Sequence, residues 1–103
     1  MIRLKTSGSR WGLIRMLKID NTKQFRKDIK RYENKKSIIQ EVNAVIKSLR
    51  KGHRLDAKYL DHPLTGNWVN HRECHVKNDL ILIYRTDDRY LYLERIGSHS
   101  ELF

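Results

Sequence analysis

Five histidines stand at positions 53, 62, 71, 75 and 99. Histidine is the side chain whose ordinary proton affinity lies nearest neutral pH, so several converging on one groove can give and take protons without a cofactor. Spacing alone leaves open whether they converge. Cys74 with His71 and His75 offers zinc-ligand types in a short stretch. A strand argues against that site: at ~3.3 Å per residue His71 and His75 share a face about 13 Å apart, and Cys74 points to the opposite one. With no C-x-x-C pair, neither a metal nor a cofactor is expected. His53, just beyond a helix end, and His71, near a strand start, read as surface residues. Cys74 reads as a small buried apolar residue, and Trp68 and Tyr84 as core or sheet-face aromatics.

The elements that must carry these residues are legible as changes of period. Leu17 to Asp20 predicts a short strand. Asn21 or Thr22 can cap a helix in which Phe25, Ile29 and Tyr32 form an apolar stripe among Lys23, Arg26, Lys27, Lys30 and Arg31. Ser37 and Gln40 have capping-box spacing ahead of Ile38, Val42, Val45, Ile46 and Leu49, and Arg50, Lys51 and Gly52 supply the stop. A short connection between the two helices predicts an antiparallel pair. After residue 54, Pro63 and Gly66 mark a loop, and β-rich runs follow at Asn67 to Val76, Leu80 to Tyr84 and Tyr90 to Ile96. The expected class is α+β: an N-terminal strand and a helix pair packed on one face of a mainly antiparallel sheet, with the site on the other face.

Length and composition set the bounds. The 103 residues make one domain, read as 16–103, after an N-terminal extension at 1–15 that holds the Ser7-Gly8-Ser9 break. No apolar run is long enough to span a membrane, no signal-peptide core is present, and a single cysteine suits a reducing cytoplasm. The chain carries 22 Lys and Arg against 12 Asp and Glu, a net +10. Residues 1–54 hold 16 basic and 4 acidic side chains, and residues 55–103 hold 6 and 8. The basic part fits a polyanion, because neutralising phosphates releases condensed counterions; an acidic protein partner fits it too, and so does a basic surface kept for solubility.

Three segments stand out together: Asp61-His62-Pro63-Leu64-Thr65-Gly66-Asn67-Trp68, the run from Arg72 through His75-Val76 and Asp79 to Tyr84, and the ending Glu94-Arg95-Ile96-Gly97-Ser98-His99-Ser100-Glu101-Leu102-Phe103. In content and order they resemble the YafQ branch of the RelE-type bacterial toxins, with a D-H-x-L-x-G-x-W segment, an R-x-x-H-V/I-x-x-D strand and turn, and an R-x-G-(S/T)-H-x-x-L-F ending. The likeness covers residues 17–103 in organisation; the stretch before it is a departure.

The resemblance implies a RelE-like microbial ribonuclease fold and a cytoplasmic endoribonuclease that enters the ribosomal A site, meets ribosomal RNA and cleaves messenger RNA, held in check by a cognate antitoxin. Carried over position by position, it marks His62, His75, Asp79 and His99 as catalytic. His99 is then the general acid, and His62 and His75 with Asp79 share base and orienting duties. Arg95 steadies the phosphate and Phe103 stacks on a messenger base, or simply ties down the terminus. Two other classes remain open: a non-catalytic gyrase-directed toxin of the ParE type, which has no use for the four catalytic positions, and a plain RNA-binding module with exposed sheet aromatics.

Overall fold

A computed structural model describes residues 16–103; the extension at 1–15 lies outside the described residues. The elements run β1 (Lys18–Asn21), α1 (Lys23–Lys30), α2 (Lys36–Arg50), a 3-10 turn (Ala57–Tyr59), β2 (His62–Pro63), a second 3-10 turn (Gly66–Trp68), β3 (Arg72–Lys77), β4 (Leu80–Thr86), β5 (Tyr90–Gly97) and α3 (His99–Leu102). The sheet order is β1-β5-β4-β3-β2, with β1 parallel to β5 and every other pairing antiparallel. The expected α+β architecture is therefore the observed one.

Alternation along the strands sorts two cores. Cys74, Val76, Leu82, Tyr84, Leu91 and Leu93 face α1 and α2 and pack on Phe25, Val42, Val45 and Leu49. On the opposite face Ile81 and Ile83 are fully buried beneath Leu102, with Leu64 and Trp68 against them. The second face is thus not bare: the carboxyl-terminal turn covers its centre. α1 lies along β5, and α2 bridges β3 and β5, so both helices owe their place chiefly to the sheet.

Thr22 fixes α1 at its start. Its hydroxyl accepts from Phe25 N–H at 2.9 Å and donates to the Glu94 carbonyl at 2.8 Å, which ties the helix N-terminus to the bulge in β5. The stripe residue Tyr32 falls just after α1 in a turn, yet still packs on the helix-side core. The capping box expected at Ser37 and Gln40 does not form. The helix starts two residues earlier than that cap implies, at Lys36, and Lys35 is its uncapped N-cap; Ser37 is already helical, so its hydroxyl is past the position that can cap. The strand expected from Asn67 begins only at Arg72, because Gly66 (φ 66°) and Asn70 (φ 70°) take left-handed conformations that break the extended run.

Candidate active site

The same alternation that buries Cys74 and Val76 under the helices turns Glu73 and His75 to the opposite face. His62 pairs directly with Glu73 across β2 and β3. Gly97 pairs with Ile81, itself the partner of His75, so the chain leaving β5 delivers His99 beside His75. Their rings are 5.4 Å apart at 60°.

α3 is held at its start by a capping box: the Ser98 side chain accepts from Glu101 N–H, and the Glu101 carboxylate accepts from Ser98 N–H at 2.9 Å. Arg31, after α1, forms an ion pair with Glu101. A Cβ on Gly97 would stand 2.9 Å from Glu101 Oε1, so a larger residue there would push on the carboxylate that closes the capping box.

At the centre sits Glu73, only 4% exposed. Its Oε2 lies 3.1 Å from His62 Nε2, 3.3 Å from His75 Nε2 and 3.4 Å from His99 Nε2. One buried carboxylate oxygen therefore faces three imidazoles, hydrogen-bonded to His62 and at ion-pair distance from His75 and His99, and these partners answer its burial. His62 and His99 are about half exposed and His75 is largely covered, so the outer two are the rings a substrate meets.

His62 donates from Nδ1 to the Pro63 carbonyl at 3.1 Å and its Nε2 meets the Glu73 carboxylate at 3.1 Å; both partners accept, so proton exchange by this ring runs between Nε2 and Glu73. His99 has an acceptor opposite each nitrogen, Glu73 at Nε2 and Asp79 Oδ1 at 3.4 Å from Nδ1, so it can carry two protons with both satisfied. Asp79 also accepts from His99 N–H at 3.3 Å.

The structure thus gathers five of the six residues singled out from the sequence: His62, His75, Asp79, His99 and Phe103, the last 57% exposed with its ring 5.6 Å from that of His99. It places Arg95 elsewhere. Ile83 separates Arg95 from Glu73 in the sheet register, and the Arg95 guanidinium binds Asp28 on α1 at 2.7 and 3.2 Å. Asp28, 2% exposed, accepts from Ile96 N–H as well. Burial pushes its carboxyl up, but the donors from Arg95, Gln24 and Ile96 outweigh burial and hold it below the usual carboxylate range.

Glu73 and Asp28 are the residues that sequence reasoning missed. Glu73 was within reach, because it stands two positions before His75 and shares its face. Asp28 sits among helix-surface charges, and nothing local marks it as buried. His71 belongs to a separate group, 3.5 Å from Glu94 and edge-on to Trp68, and His53 is exposed.

Cys74 is fully buried on the helix side, away from His75, so the Cys74, His71 and His75 set is no ligand group. A different trio has metal-ligand geometry: the donor atoms of His62, Glu73 and His75 all lie within 4.8 Å of one another. Among the described residues no helix is long and apolar enough to cross a membrane.

Residues 17–103 match the family described as bacterial toxin of type II toxin-antitoxin system, YafQ. The chain is 36% identical over 86 residues to the mRNA interferase toxin YafQ of Escherichia coli, covering 82% of this chain and 94% of that protein. It is similar to a copper-bound mutant toxin from Helicobacter pylori at 44% identity and a TM-score of 0.80, over 85% of this chain and all of that one. YafQ in the Escherichia coli DinJ–YafQ toxin–antitoxin complex is similar at 35% identity and a TM-score of 0.76, over 85% and 98% of the two chains. With this sequence match, and with its motifs folded into one histidine and carboxylate cluster, the chain belongs to the YafQ family of type II toxin–antitoxin toxins.

Proposed function

We propose that this protein is an mRNA interferase that cuts messenger RNA in the ribosomal A site of the cytoplasm by general acid-base catalysis, and that an antitoxin protein binds and silences it. The observation that carries the reading is the single Glu73 oxygen shared by His62, His75 and His99. Three imidazoles on one carboxylate can pass a proton among themselves, which suits a reaction that removes one proton and returns another.

His62, its Nε2 proton passed to Glu73 at 3.1 Å, takes the proton of the ribose 2′-hydroxyl as that oxygen attacks the adjacent phosphorus. His99 gives a proton to the departing 5′-oxygen, leaving a 2′,3′-cyclic phosphate and a 5′-hydroxyl. Asp79 orients His99, and His75, largely covered between the outer rings, holds positive charge near the phosphorane. Phe103 offers a stacking face beside His99. Arg95, tied to Asp28, steadies the phosphate only indirectly, by fixing the end of β5 from which His99 departs.

The excess of basic residues in the first half of the chain suits ribosomal RNA and an acidic antitoxin alike. The close donor atoms of His62, Glu73 and His75, with a relative described as copper-bound, support a second use of this trio, as a metal site whose occupation would remove the nitrogens that catalysis needs.

The test is primer extension on a message in a purified translation system, wild type beside His99→Ala. Ribosome-dependent cuts by the wild type alone establish the nuclease and its acid. An intact message on active ribosomes overturns the reading in favour of a gyrase-directed or non-catalytic toxin.

A further inference from the structure

Beyond the histidine cluster, a cavity of about 360 Å³ opens at the end of the sheet, where Tyr32, the first turn of α2 and the β3–β4 turn meet. We infer that it receives one nucleobase of the single-stranded RNA substrate, next to the cleaved phosphate, and so sets base preference at the cut; this rests on the nuclease reading above. The size is within the range of small-molecule sites, about 300–1,000 Å³.

Its walls combine what a base needs. Tyr32 supplies an aromatic ring, and Ile38 and Leu80 supply apolar surface. Asn78 and Ser98 border it with polar groups able to meet a base edge. Lys77 lines the cavity and Lys35 Nζ stands 5.8 Å from the centre of the Tyr32 ring, which gives cations for the flanking phosphates.

Continuity with the catalytic groups places the base. Asp79 forms part of the cavity wall and also accepts from the backbone N–H of His99. Ser98, the cap of the helix that carries His99, forms another part. A base lodged there is tied through Asp79 and Ser98 to the helix that carries His99, and substrate positioning of that kind is a large source of rate.

The test maps cut sites by primer extension over many messages in the purified translation system and records base frequencies on each side of the cut, with KM and kcat. Asn78 has φ 45°, a conformation glycine adopts freely, so Asn78→Gly keeps the turn while removing the amide. Asn78→Gly is expected to flatten the base preference at one flanking position. Tyr32→Leu is expected to raise KM about tenfold, as lost base stacking does, and Tyr32→Phe to leave KM near wild type. Should Tyr32→Leu fail to fold by circular dichroism, Asn78→Gly decides alone.

Unchanged base frequencies in Asn78→Gly, or a wild type without flanking preference, overturn the pocket and leave the nuclease standing. A wild type that cuts nothing overturns the nuclease reading instead, so the two failures are distinct.

Discussion

His99 Nε2 lies 3.4 Å from Glu73 Oε2, so an imidazole carried by the last helix and a carboxylate from the middle of the sheet meet at ion-pair distance. His62 joins it at 3.1 Å through the same oxygen. Glu73→Gln keeps the volume but replaces a charged acceptor with a neutral amide. Cleavage in the translation system is expected to fall about 100-fold, the low end of general acid-base contributions, while cosedimentation with ribosomes stays near wild type. Equal loss of both would mean that Glu73 only holds the fold.

Asp28 and Arg95 give the protein an acid-sensitive fastening. The Asp28 carboxyl is held below its usual range in the fold, so its stabilisation is fully present above the unfolded value of about 3.9 and is lost as pH falls through the lower folded value. Breaking a buried ion pair from one side costs about 3–5 kcal/mol, and the partial exposure of Arg95, 25%, points to the lower end. Asp28→Asn should therefore melt well below wild type at pH 7, and the gap should narrow on titration from pH 5 to pH 2 by thermal denaturation. A gap constant with pH would refute the ion pair as its source.

The trio His62, Glu73 and His75 predicts a response to metal. Titrating zinc or copper into the protein alone by calorimetry is expected to show one site, weakened at least tenfold in His62→Ala. In the nuclease assay the same metal should suppress cleavage and EDTA should restore it. Binding undiminished in His62→Ala would place the metal elsewhere.

Cys74 should be inert in the native protein. Burial pushes its thiol up to about 12, and the thiolate is the reactive form. Alkylation at pH 8 is expected to be negligible until denaturant unfolds the chain, and then to label one thiol. Rapid native labelling would show that the helix-side core opens locally.

Some of this was legible in the sequence, for local reasons. Apolar residues at helical spacing in α2 and a continuous apolar run in β4 report which surface must be buried, and burial is set by side-chain type and period. The cap at Thr22 and the breaks at Gly66 and Gly52 are likewise decided within a few residues. Motif resemblance marked His62, His75, Asp79 and His99, and alternation alone cleared Cys74 from a metal site.

What only tertiary structure decided depends on contacts between residues far apart in the chain. The pairing of His62 with Glu73, and the register that sets Gly97 opposite Ile81, make a carboxylate at an unremarkable position into the hub of three histidines. Arg95 could point to substrate or to α1 as far as β5 is concerned; the choice was made by Asp28, whose buried charge needs a partner more than an exposed phosphate site does. Side-chain type and local period set each residue's chemistry and face, while the packing of β2, β3, the end of β5 and α3 around one buried oxygen decided which of these groups stand together, because that depends on contacts between residues far apart in the chain.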